Sequence, residues 1–222
     1  FLPPNKANIE ASEGCAATLP RQPMQPGYAV FLDLRKRRDL PAKNQLIESL
    51  RFTAEEGIAL AARRGAAYHS EMMRFCSQFI GPPGDPLFCC GAGESGCVDP
   101  YGIYHMCLSL RQPDSGYDLS QGSMHQALTE FFPARRTLRA ANCAYLERCA
   151  RCFLKGLCEQ CPAKSWSENG TLDTPVEYLC QVAHAQARYL GLLAEGERAW
   201  EITDWTTRLE SWQQKSASNY AE

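Results

Sequence analysis

Four cysteines fall within thirteen residues in the stretch Cys149 to Cys161, which reads C-A-R-C-F-L-K-G-L-C-E-Q-C with the spacing C-x2-C-x5-C-x2-C. No other feature restricts the fold as much. A run so rich in thiols is a poor core-forming segment, so the rest of the chain is expected to bring further thiols to it or to hold it in place. The chain carries twelve cysteines in 222 residues, and nine of them lie between Cys89 and Cys161. In a small secreted chain an even count would indicate disulfides. Here the chain is larger, shows helical patterns and no secretory signal, and places cysteines in pairs two residues apart. This favours metal ligation in a reducing compartment, hence a cytoplasmic protein.

The remaining composition is that of an ordinary globular protein, with 45% apolar and 22% charged residues. A formal net charge of -2 gives no electrostatic reason to expect nucleic acid or an anionic membrane as partner. No apolar run approaches a membrane span in length. The opening Phe1-Leu2-Pro3-Pro4 reads as a cut end.

Along the chain, residues 8–19 suggest a short helix with Cys15 as a buried, inert thiol. Tyr28 to Leu34 reads as a buried strand. The basic run Arg35-Lys36-Arg37-Arg38 that follows is read first as a solvated loop and second as a clamp for an acidic substrate or cofactor carboxylate. Thr53-Ala54-Glu55-Glu56 is a capping box opening a helix. Its apolar stripe includes Ile58, Ala61, Tyr68, Met72, Phe75, Cys76 and Phe79, so Cys76 reads as core. Gly81-Pro82-Pro83-Gly84 ends that helix. Asp99-Pro100-Tyr101-Gly102 is a type I turn signature between short apolar runs and predicts a β-hairpin, with Cys97 and Cys107 on its two arms. A short helix is expected from Ser123 to Phe132, closed by Pro133. Lys164 to Pro175 reads as loop, with Asn169-Gly170 as a turn. A last helix starts near Pro175 and continues past residue 195 to a frayed end at 216–222.

For the central stretch, zinc is one candidate, in a structural module without a redox role. Zinc sites built from two C-x2-C loops, however, often separate them by about 12 to 20 residues. Here only five residues intervene, and such closeness is more typical of iron–sulfur ligation. The pattern from Cys90 to Cys180 resembles the SPASM domain at the C-terminus of radical S-adenosylmethionine (radical SAM) peptide-modifying enzymes. Its elements here are Cys90, Gly102 to Cys107 as G-x4-C, the central stretch, and Cys180. The last spacing of the central element is x2 here, where the family has x3.

The resemblance implies an α+β protein. Residues 1–80 would be the end of a radical SAM α/β barrel with its linking helix, 81–183 a loop-rich SPASM domain, and 184–222 a C-terminal helical tail. It implies two [4Fe-4S] clusters, one held by Cys149, Cys152, Cys158 and Cys180. The other would be held by Cys90, Cys97, Cys107 and Cys161, with Cys89 as the alternative to Cys97. The C-x3-C-x2-C loop that would hold a third cluster and S-adenosylmethionine is absent from these residues, so that cofactor belongs only to a full-length enzyme. The implied role is electron transfer or substrate positioning in a maturase. The implied partners are a peptide or protein substrate and an electron donor such as a ferredoxin or flavodoxin. Cys143 reads as a structural thiol, and His105 and His184 as neighbours of ligands; His184 shares a helix face with Cys180.

Overall fold

The computed structural model describes residues 3–20, 31–158 and 161–218. Its fold is α+β: many short helices around a small three-stranded antiparallel sheet among the described residues. A 3-10 turn leads into α1 (Ile9–Ala17), followed by α2 (Pro41–Ser49), α3 (Ala54–Ala61) and α4 (Ala66–Phe79). Strands β1 (Cys97–Val98), β2 (Ile103–His105) and β3 (Gly116–Asp118) come next. The remaining helices are α5 (Met124–Gln126), α6 (Phe132–Arg136), α7 (Cys143–Glu147), α8 (Pro162–Asn169), α9 (Glu177–Tyr189) and α10 (Trp205–Ser218). A π-helical turn, Ala127–Phe131, links α5 to α6.

The described residues form no barrel and no strand over 31–34; Tyr28 to Val30 lie outside them. The barrel remnant implied by the family resemblance is therefore corrected to a mostly helical first part with irregular backbone before α2. Residues 219–222, most of the tail expected to fray, also lie outside the described residues.

Local sequence accounts for several elements directly. The Thr53 hydroxyl accepts from the Glu56 N–H at 3.2 Å while the Glu56 carboxylate accepts from the Thr53 N–H, closing the capping box. The helix it opens does not run on to Phe79. Gly65 takes φ +61°, a left-handed conformation that splits it into α3 and α4, so Phe75 turns partly to solvent while Cys76 is fully buried. In the hairpin turn the Asp99 carboxylate accepts from the N–H groups of Tyr101 and Ile103, and Gly102 N–H donates to the Asp99 carbonyl. The register pairs Cys97 with His105, so Cys107 lies two residues beyond the partner of Cys97.

Other elements depart from expectation. Pro133 does not end a helix. It sits in the first turn of α6, where a missing N–H costs little, and the preceding π turn delivers the chain there. Residues 162–169, partly expected as loop, form α8 with Pro162 in its first turn and Gly170 as a left-handed C-cap. Cys15 and Cys143, expected as buried or structural thiols, are exposed. The final helical stretch is broken: α9 ends at Tyr189, turns occupy 191–201, and α10 begins at Trp205.

Two larger cores meet at the segment after Cys149. One gathers Cys76, Cys152, Phe153, Leu154, Leu190 and Trp212; the other gathers Leu87, Tyr104, Met106, Phe132 and Tyr145, with Cys149 and Ala150 packed on it. Phe153 and Leu154 are fully buried, and Phe153 stacks with Trp205 at 6.3 Å. Beside them the buried Lys155 ammonium donates to the carbonyls of Gly84 and Pro86 at 2.7 and 3.0 Å. Phe153→Ala is expected to cost about 3–5 kcal/mol, because the side chain is fully buried and its removal leaves a cavity in a packed core. Leu40→Ala, at a side chain exposed to water, is expected to stay within about 0.5 kcal/mol of wild type. Urea denaturation of both variants checks the difference.

Candidate functional site

The structure gathers one of the two expected thiol sets. Cys149 and Cys152 flank a 3-10 turn (Cys149–Arg151), Cys158 follows the buried Phe153-Leu154 pair, and Cys180 comes from the first turns of α9. These four side chains, with Arg148 and His184, line a cavity of about 20 Å³. The Arg148 guanidinium makes a two-pronged ion pair with Glu177 at 3.0 Å, lies 3.6 Å from the Cys180 sulfur and covers the Trp200 ring. His184 Nε2 accepts from the Ala199 N–H at 3.1 Å, which assigns the ring proton to Nδ1, where it donates to the Cys180 carbonyl at 2.8 Å. Burial holds the His184 pKa below its ordinary value, so the ring is neutral. The Cys180 sulfur is 3.7 Å from Nδ1, as the shared helix face predicts.

The chemistry of this cavity is that of neutral thiols. Burial, reinforced by the neighbouring sulfurs, pushes the Cys149 thiol up to about 11 and the Cys152 thiol up to about 12. Cys158 and Cys180 are raised by the same desolvation, Cys180 against the opposing pull of Arg148. Metal ligation needs thiolates that converge on one centre. Among the described residues no group of three or more Cys, His, Asp or Glu side chains is placed to hold a metal ion. A space of about 20 Å³ is water-sized.

The second set is not assembled. Cys89 and Cys90 are exposed, Cys97 is half-buried on β1, and Cys107 lies close enough to Cys161 to raise its pKa. The expected [4Fe-4S] clusters on Cys149, Cys152, Cys158 and Cys180 and on Cys90, Cys97 (or Cys89), Cys107 and Cys161 are thus corrected, as is the zinc alternative. All twelve cysteines are free thiols.

A different constellation is built on the basic run, which the sequence reads first as a solvated loop and second as a clamp for an acidic substrate or cofactor carboxylate, and on residues distant from it in the chain. The run Arg35 to Arg38 is a braced loop. Asn44, nearly fully buried, accepts from the Arg35 N–H at 2.9 Å and donates to the carbonyls of Asp39 and Leu40. The loop is tied to α8: Ser167 Oγ donates to the Leu34 carbonyl, and Arg37 N–H donates to the Ser167 carbonyl. Arg35, Arg37 and Arg38 thereby share a groove of about 410 Å³ with Arg111, which follows β2, and with Lys164 of α8. The groove holds one carboxylate, Asp33, 3.5 Å from Lys164.

Two of the arginines are oriented by neutral acceptors. Arg37 donates to the Asn169 carbonyl and lies over the Trp166 ring at 5.6 Å; Arg111 donates to the carbonyls of Cys107 and Leu110. Among the described residues Arg35, Arg37, Arg38 and Arg111 form no ion pair. A Cβ at Gly170 would collide with the Arg37 guanidinium, so glycine there serves both the left-handed C-cap and the seating of Arg37.

A larger cleft, about 770 Å³, is lined in part by the end of α8, and most of its carboxylates are paired with arginines. Glu168 pairs with Arg51, Glu55 with Arg188 and Glu177 with Arg148. The groove therefore holds the larger uncompensated charge. No family model, curated protein or solved structure matches the chain, so the resemblance to SPASM-domain proteins is not upheld. No helix among the described residues is long and apolar enough to cross a membrane.

The thiol pKa values fix a pH dependence. A folded-state pKa raised above the unfolded value of about 9 means that the native state retains protons the unfolded state has lost. Stability is then complete below pH 9 and falls as pH rises towards 11 and 12. Denaturant midpoints between pH 8 and 10.5 are expected to drop, and to drop less in Cys152→Ala measured against its own pH 8 value. At pH 8 a disulfide reagent should label Cys15, Cys89, Cys90 and Cys143 rapidly, and Cys76 and Cys152 only after unfolding, as peptide mass spectrometry would show.

Proposed function

We propose that this chain is a protein-interaction module whose basic groove takes an acidic segment of a peptide or protein partner. One observation carries the reading: Arg35, Arg37, Arg38 and Arg111 line one groove with no carboxylate partner of their own among the described residues. A guanidinium held by backbone carbonyls keeps its full charge and loses little freedom when it binds, so its donors are preorganised for carboxylates. The cations come from three separate parts of the fold, which suits several carboxylates along a segment better than one small anion. Over the whole chain the net charge is -2, so the groove is a local positive feature on a weakly acidic protein.

The reading is tested by fluorescence anisotropy with a labelled peptide of alternating glutamate and serine. Binding is expected to weaken about tenfold, or ~1.4 kcal/mol, in Arg38→Glu. It is also expected to weaken as ionic strength rises from 0.05 to about 0.3 M, as screened surface charges require. Unchanged binding in Arg38→Glu, or tighter binding of a single-stranded oligonucleotide than of the peptide, overturns it.

A further inference from the structure

We infer that the groove selects acidic segments carrying an apolar side chain among their carboxylates, with Leu108 as the contact that reads it. This rests on the groove's acting as the site for an acidic segment, and deepens it. Leu108 is 72% exposed and lies on the groove wall beside Arg111 and Lys164. A lone exposed leucine means little in general, and Leu40 and Leu46 are exposed outside this groove.

Leu108 differs in how it is held. Met106 and Leu110 on either side are fully buried in the core around Tyr104 and Phe132. The turn between them is closed by Leu110 N–H donating to the Cys107 carbonyl, and the Arg111 guanidinium donates to the carbonyls of Cys107 and Leu110. The turn is pinned at both ends, so Leu108 is presented to water as a fixed apolar knob. The cation nearest to it in sequence is fixed by the same hydrogen bonds. Across the groove the half-buried Trp166 adds an indole to the lining.

A rigid leucine and an oriented guanidinium side by side form a mixed contact. A carboxylate meets Arg111 while the adjacent residue of the segment covers Leu108. Preorganisation removes most of the ordering cost on the protein's side. A purely acidic segment satisfies the arginines but leaves Leu108 wet; a purely apolar one leaves the guanidinium groups unpaired. The segment that meets both alternates acidic with aliphatic or aromatic residues.

Two labelled peptides distinguish the possibilities, one of alternating glutamate and serine and one with its central serine replaced by leucine. The wild-type protein is expected to bind the leucine peptide about five- to tenfold more tightly, the range for partial burial of one aliphatic side chain. Leu108→Ser is expected to remove that preference, and Leu108→Met to retain it. Arg38→Glu is expected to weaken both peptides equally. Equal binding of the two peptides by wild type, or a loss in Leu108→Ser that falls equally on both, overturns the inference while the acidic-segment reading stands. Failure of either peptide to bind, or indifference of both to Arg38→Glu, overturns that reading and this one with it.

Discussion

The fold depends on the burial of Phe153 and Leu154, where the chain passes from one core into the other. The chain enters this segment from Cys149, packed against the core around Tyr145, and leaves it inside the core around Cys76 and Trp212. A segment buried on both sides must satisfy every backbone and charged group it carries. Lys155 meets that demand by donating to the Gly84 and Pro86 carbonyls and lying near the Tyr145 ring. The same contacts stitch the glycine- and proline-rich turn after α4 to the centre of the molecule. Without them a buried ammonium would be unpaired, a far larger penalty than the loss of two ordinary hydrogen bonds.

That burial also governs the thiols. Packing the segment between cores takes Cys149, Cys152 and Cys158 out of water together, and α9 brings Cys180 against them. In a low-dielectric setting each sulfur resists ionisation, and each raises its neighbours' cost of ionising. Thiol density in sequence indicates metal only if the fold makes the sulfurs converge on one centre. Here the fold leaves neutral thiols around a water-sized cavity.

Charge is arranged in the opposite sense around α8. In the cleft Arg51 and Glu168, both nearly buried, neutralise each other, and Arg51 lies 4.1 Å over the Tyr178 ring. In the groove Arg37 and Arg111 are oriented by carbonyls that take their hydrogen bonds without cancelling their charge. One short helix thus contributes to a cleft whose carboxylates are mostly paired and to a groove whose arginines are not.

What the sequence by itself determined were features whose partners are a few residues apart. The Thr53–Glu56 box, the Asp99–Gly102 turn and the Cys180–His184 face each need only neighbours within about one helical turn, and local sterics and hydrogen bonding suffice to specify them. Tertiary structure decided the rest. α8 is poor in apolar residues, yet it is held by contacts such as the buried Ser165 hydroxyl donating to the Thr174 carbonyl. β3 exists only because β2 lies beside it. Arg111 and Lys164 are far from Arg35–Arg38 along the chain and near them in space, so a run that reads as a solvated loop became one wall of a charged groove. For the cysteines, spacing was legible but protonation was not, because a thiol's pKa is set by the water that packing excludes.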